Sequence, residues 1–289
     1  MKRLPKNFES LAVTSSRQRQ LMRDTKQKGI ILPKCRRSAR CCREHCHICL
    51  RLFRINLVRQ AGMLGLHCDE KHWQMLTLTP NDQPIPKGEL SQTNQQKEVK
   101  KHLKRLERHL PNVLVIGGLD IALKYEGNEP IGWQPHLHLL IYGISRQASL
   151  KALRAAYPKS EYSPKPIRHE HIKGGSFYEA LTYCYKSLYF PRGSGSQVRE
   201  GKKRGGLPRQ YELELRAYLA KWPIGKRMVL RYAKFHGPTN KTKRRLLLKP
   251  PYDKEFEKLS SPQRKNSANR CNVATHKRIN RAGRAKVRV

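Results

Sequence analysis

The sequence predicts an α+β fold, a central antiparallel sheet with flanking helices. Three observations predict it. Residues 73–79, 113–125 and 133–142 read as strands, the last alternating between Pro135 and Gly143. Val99, Leu103, Leu106 and Leu110, and again Phe177, Leu181, Cys184 and Leu188, recur at helical spacing and form apolar stripes. The resulting order, β-α-β-β-α-(β)-α, suits an antiparallel sheet with helices packed on it. These elements fall within residues 71–222, a span long enough to bury one core.

Residues 1–70 precede that block and are basic and cysteine-rich. Cys35, Cys41, Cys42, Cys46 and Cys49 cluster there, with His45 and His47 interleaved. In a chain expected to be cytoplasmic, such a cluster reads as a metal site rather than a disulfide framework. Cys46-His-Ile-Cys49 is a zinc-type knuckle, and tetrahedral Zn²⁺ needs two further ligands. Cys35 and Cys41 or Cys42 could supply them, as could His67 and Cys68; we take Cys35, Cys41, Cys46 and Cys49 as the set. A structural zinc would fold a small module that could hardly bury a core without it.

In the central block, Trp73–Thr79 is a strand that Pro80 ends, with Met75, Thr77 and Thr79 on one face and Leu76 and Leu78 on the other. The Val99–Leu110 helix follows. The strand 113–125 carries Asp120 and pairs with the next strand across Glu126–Gly132. On that next strand His136 and His138 are two residues apart, so both project from one face while Leu137 points into the core. Two neutral imidazoles side by side suit a divalent metal. His-x-His is short, however, and ordinary strands carry it too. A helix around Ser145–Tyr157 comes next. In the helix that follows, Tyr183 and Lys186 are three apart and share a face. A phenol titrates near pH 10 in water, so a tyrosine nucleophile needs a neighbouring cation or a metal-polarised target.

Taken in order, Leu76-Thr-Leu-Thr79, His136-Leu137-His138 preceded by Pro135, and Tyr183-x-x-Lys186 resemble the three motifs of the HUH endonuclease superfamily. The similarity is closest to rolling-circle replication initiators and covers residues 73–190. Two positions depart from the pattern. Gln134 stands where many initiators have a histidine, which leaves a hydrogen-bonding role but no third imidazole. Ser187 stands where two-tyrosine members carry a second tyrosine, which favours one nucleophile. Tyr185 and Tyr189, also four apart, leave a two-tyrosine arrangement open.

The resemblance implies an RRM-like sheet core and a reaction. Mg²⁺ or Mn²⁺ on His136 and His138 would polarise a phosphodiester of single-stranded or hairpin origin DNA, and Tyr183 would attack phosphorus. Hard cations also take oxygen ligands, and Asp120 is the candidate, with Glu126 and Gln134 as alternatives. The products would be a 5′-phosphotyrosyl enzyme and a free 3′-OH, with host helicase and polymerase as partners. A single-strand transposase shares this chemistry. A relaxase usually has its tyrosine before its histidines, the reverse of the order here. A zinc-bearing nucleic-acid-binding protein without catalysis is the alternative from another class.

Composition agrees with a polyanionic partner. Lys and Arg outnumber Asp and Glu by 61 to 21 over 289 residues, a net charge of +40. Binding that releases counterions should weaken steeply with salt. No apolar run is long enough to span a bilayer, and the N-terminus lacks the apolar core of a secretory signal. Residues 191–210 read as a flexible basic loop. Residues 223–289 read as a basic, partly disordered DNA-binding tail. Cys184 reads as core and Cys271 as an unpaired tail thiol.

Overall fold

The computed structural model describes Pro5 and residues 8–80, 82–127, 129–172, 177–186, 207–238 and 241–260. Leu188, Ser187, Tyr189, Cys271, most of the 191–210 loop and residues 261–289 of the expected tail lie outside them.

The architecture is α+β. Five strands form one antiparallel sheet in the order β4-β1-β3-β2-β5. They are β1 (Gln74–Leu78), β2 (Leu114–Glu126), β3 (Glu129–Tyr142), β4 (Ile167–His171) and β5 (Met228–Arg231). The strands β6 (Ala233–His236) and β7 (Arg245–Leu248) make a separate hairpin. The helices are α1 (Leu11–Gln27), α2 (His47–Met63), α3 (Gln95–His109), α4 (Arg146–Arg154), α5 (Phe177–Tyr183), α6 (Arg209–Ala220) and α7 (Tyr252–Ser260).

Side-chain alternation divides the core between the two faces of the sheet. Leu76, Leu78, Val115, Leu137, Leu139 and Ile141 pack under Val99 and Leu106 of α3 and Leu153 of α4. The opposite face gathers Met75, Leu114, Ile116, Leu140 and Tyr142 into one cluster with Leu50, Phe53 and Leu57 of α2 and Phe177 and Leu181 of α5. Side-chain oxygens of Asn94 and Ser145 accept backbone N–H bonds at the starts of α3 and α4, satisfying donors that the first helical turn leaves open.

Packing does not follow the divisions expected at residues 70 and 222. Alternating strands and helices mark the central block, but the partners that cover its sheet come from both flanks. Leu50, Phe53 and Leu57 lie in the same cluster as the sheet residues, so α2 is a layer of the main core. Beyond residue 222, β5 completes the sheet beside β2, and Tyr252 and Phe256 of α7 join that core. The high basic content there hid a short apolar strand, Met228-Val-Leu. No helix among the described residues is long and apolar enough to cross a membrane.

Candidate functional site

Along β3, residues of even number share one face. Leu140 and Tyr142 are buried in the core, Tyr142 against Trp73 and against Tyr252 and Phe256 of α7, and the same face continues as His138, His136 and Gln134. On β2 the matching row runs Leu114, Ile116, Gly118 and Asp120. A register shift between Lys124 and Tyr125 sets the pairing, so Asp120 lies opposite His136 and Gly118 opposite His138. Thr77 of β1 flanks His138 on the other side.

Three donor atoms converge there. Asp120, His136 and His138 are all buried, and one ligand atom from each lies within 4.8 Å of the others. The two Nε2 atoms are 3.0 Å apart. Asp120 Oδ2 is 3.1 Å from Nε2 of His136 and 3.6 Å from Nε2 of His138. Asp120 Oδ1 has no hydrogen-bond partner among the described residues. The outer nitrogens fix the rings. Nδ1–H of His136 donates to the Gln134 carbonyl at 3.2 Å, and Thr77 Oγ1 stands 2.9 Å from Nδ1 of His138 and can accept its proton. With both protons on Nδ1, both Nε2 lone pairs face Asp120, the tautomer a divalent metal requires. Two imidazoles and a carboxylate, with one carboxylate oxygen still unbonded, fit such an ion. Gln134 therefore contributes its backbone carbonyl, while its side chain donates to the Tyr162 carbonyl at 3.2 Å.

Tyr183 borders this group. Its ring meets that of His138 edge-on with centroids 4.6 Å apart, and it is 41% exposed, so a substrate can reach it. The helix ends at Tyr183, and Lys186 lies beyond it. The shared helical face expected for this pair is therefore absent. A turn instead carries the lysine inward, so that Nζ is 2.5 Å from Asp120 Oδ2 and 5.4 Å from the Tyr183 ring centre. Burial alone would push the Asp120 carboxyl up, but the Lys186 ammonium outweighs it and holds the group well below the ordinary carboxylate range.

The turn after α5 lies directly on the sheet because residue 118 is glycine. A Cβ there would come within 2.6 Å of the Cys184 carbonyl oxygen. Cys184 itself is buried in the core. Tyr185 is fully buried, and its hydroxyl donates to Glu44. It is not available to a phosphate, which removes it from a two-tyrosine arrangement.

A second donor cluster gathers Cys35, Cys41, Cys46 and Cys49. Their sulfurs all lie within 4.8 Å of one another, with Cys35–Cys49 at 3.6 Å and Cys41–Cys49 at 3.8 Å. A disulfide needs roughly 2.05 Å, so none is present. Ligands about 2.3 Å from a tetrahedral centre are separated by roughly 3.8 Å, which is the spacing seen. Cys46 caps α2, its sulfur accepting the Cys49 N–H. Hydrogen bonding among the four sulfurs, chiefly with Cys46, lowers the Cys41 and Cys35 thiols and in turn raises Cys46, while the contact with Cys41 raises Cys49. Cys42 stays outside the group, and His67 contacts Cys68 and the Tyr178 ring elsewhere.

Sequence reading missed Glu44, Arg227 and Gly118. Glu44 and Arg227 are buried charges that pair at 3.1 Å. The paired glycines at 117–118, inside an otherwise apolar strand, were a visible signal of close backbone approach. Comparison with protein-family models, curated proteins and solved structures finds no match to this chain.

Proposed function

We propose that the chain is a metal-dependent nickase of single-stranded DNA, acting as a rolling-circle replication initiator. The observation that carries this reading is the edge-on contact of Tyr183 with His138, which places an exposed phenol beside a buried two-histidine, one-aspartate group. His136, His138 and Asp120 would hold Mg²⁺ or Mn²⁺, which would polarise the scissile phosphate and stabilise its developing charge. Thr77 and the Gln134 carbonyl orient the two rings. The Tyr183 oxygen attacks phosphorus and loses its proton; the new O–P bond forms as the bond to the 3′ oxygen breaks, and that oxygen is protonated to a free 3′-OH. Lys186 offers a cation near both the carboxylate and the phenol. The reverse transfer rejoins the strand.

Zinc is proposed at the four cysteines on the tetrahedral sulfur spacing. Elemental analysis of the full chain should find about one zinc, lost in Cys46→Ser.

The nickase reading is tested by incubating the protein with Mn²⁺ and a single-stranded hairpin, then looking for a covalent adduct on a denaturing gel. The adduct should form with the natural chain and vanish in Tyr183→Phe and in His136→Ala/His138→Ala. No adduct, with DNA affinity equal in all three, would leave a nucleic-acid-binding protein without catalysis.

A further inference from the structure

The four-cysteine cluster and the Tyr183 site are joined by a continuous chain of hydrogen bonds that runs through the buried side chains of Glu44 and Arg227. Between the metal-ligand candidates Cys41 and Cys46, the chain pairs with residues 222–225. Ile224 N–H donates to the Cys42 carbonyl at 2.8 Å, and Glu44 N–H donates to the Trp222 carbonyl at 3.1 Å. The Glu44 side chain is fully buried. It accepts from Gly225 N–H at 2.9 Å, from Arg227 Nε at 3.1 Å and from the Tyr185 hydroxyl.

Arg227 continues the path. Its guanidinium lies over the Tyr185 ring at 4.5 Å, donates from Nη1 to the Leu119 carbonyl at 3.0 Å and reaches the Lys186 carbonyl from Nη2 at 3.4 Å. Leu119 precedes Asp120 on β2, and Lys186 is the residue whose ammonium meets Asp120. One buried cation thus ties the carboxylate strand to the turn that follows Tyr183, and one buried carboxylate orients that cation. A planar guanidinium with a fixed fork of donors holds three groups in a set relation as a flexible ammonium could not.

We propose that Glu44 and Arg227 are positioning residues through which the metal-bound cysteine loop sets the place of Tyr183 and Lys186 against Asp120. The residues suit this role because Glu44 sits three residues after Cys41 and two before Cys46. Metal on the cluster fixes the loop, the loop fixes the carboxylate, and the carboxylate fixes Arg227. Loss of the cluster metal therefore loosens the nucleophile without touching it. The inference rests on the nickase reading for its catalytic consequence, but not for the positional link itself.

The test uses the full chain labelled with 3-fluorotyrosine, the ¹⁹F resonance of residue 183 being assigned by its disappearance in Tyr183→Phe. Zinc is withdrawn by a chelator, or Glu44→Gln is introduced, and the resonance is followed with zinc content, hairpin affinity and the single-turnover adduct rate at saturating DNA. Misplacing a reacting group by roughly 1 Å can cost about 100-fold. In Glu44→Gln the Tyr183 resonance should shift and the adduct rate fall at least about tenfold, with hairpin affinity within about twofold. Should Glu44→Gln fail to retain zinc, Tyr185→Phe, which removes one hydrogen bond and keeps the ring, should give the same shift and a smaller rate loss. An unmoved resonance and an unchanged rate in zinc-bound Glu44→Gln, or in Tyr185→Phe, would overturn the proposal. If the natural chain forms no adduct while the resonance still moves, the nickase reading has failed and the positional link stands.

Discussion

The ammonium of Lys186 lies 2.5 Å from Asp120 Oδ2, closer than either imidazole nitrogen comes to that oxygen. The lysine therefore acts first on the carboxylate. Asp120 is only 2% exposed, and a buried carboxylate without a cation is costly. A divalent metal on the same oxygen would take over the neutralising role and free the ammonium for charge developing near Tyr183.

Lys186→Ala tests that exchange. Without metal, the variant leaves Asp120 buried with its main counter-charge gone, and burial then pushes its carboxyl up. The loss of stability should be roughly 2–3 kcal/mol, less than the roughly 3–5 kcal/mol of a fully buried pair because Lys186 is partly exposed. Saturating Mn²⁺ should restore most of it, so the metal-induced rise in Tm should be larger in the variant than in the natural chain. Adduct formation should slow with little change in DNA affinity. Equal metal-induced shifts in the two proteins would show that lysine and metal do not share the carboxylate.

Thr77 affects the same group through His138. Thr77→Val keeps the shape but removes the oxygen that stands 2.9 Å from Nδ1. The ring is then free to carry its proton on Nε2, the wrong nitrogen for a metal. Partners of this kind are worth about 10- to 100-fold in metal affinity. Titration with Mn²⁺, followed by the paramagnetic signal of the free ion, should show that weakening; unchanged affinity would mean that packing alone orients His138.

How much of this could be read from the sequence differs from residue to residue. The shared face of His136 and His138 follows from the strand period and needs no tertiary information. Asp120 is harder. Counting back from the turn pair Glu126–Glu129 without interruption would set Asp120 opposite Pro135. The irregularity after Lys124 adds one residue on β3 and brings His136 opposite instead. For Lys186 the sequence pointed to the right neighbourhood by the wrong route, since α5 ends at Tyr183 and a turn delivers the lysine. A metal-type cysteine cluster was legible from the crowding of thiols around Cys46-x-x-Cys49, but spacing left Cys42, His67 and Cys68 open beside Cys35 and Cys41, and only the fold brings the sulfurs of Cys35, Cys41, Cys46 and Cys49 together. Glu44 and Arg227 were not legible, because a buried ion pair 183 residues apart in the chain has no local signature.

Gly118→Ala tests the close approach of the turn after α5. The added methyl would sit 2.6 Å from a backbone oxygen, which cannot rotate away as a side chain could. The segment bearing Tyr183 and Lys186 must lift from the sheet. Overpacking of this kind costs about 1–3 kcal/mol. The variant should lose adduct formation more than it loses zinc, because the clash lies at Cys184 and not at the cysteine cluster. Natural activity in a protein of natural Tm would show that the turn has room to spare.

Acid sensitivity should trace in part to His102 on α3. Its ring is buried, stacked on Tyr157 with Nδ1 2.9 Å from the phenol oxygen. Burial, then the positive charges of Arg105 and Lys101, bring it down to about 4. An unfolded histidine titrates near 6.5. The folded value is the lower one, so between about pH 6.5 and pH 4 the unfolded chain binds a proton that the folded chain refuses. The contribution to stability is complete above that window and drains away as pH falls through it, by up to about 3 kcal/mol. His102→Gln removes the titrating ring but keeps a hydrogen-bonding group beside Tyr157. Urea unfolding of the natural chain and the variant at pH 7 and pH 5 should show the pH-dependent loss shrinking by about 2 kcal/mol in the variant. The remaining slope belongs to groups such as His45 and His47, which burial also holds neutral. An identical slope in both proteins would mean that the ring takes up its proton in the fold as readily as in the open chain.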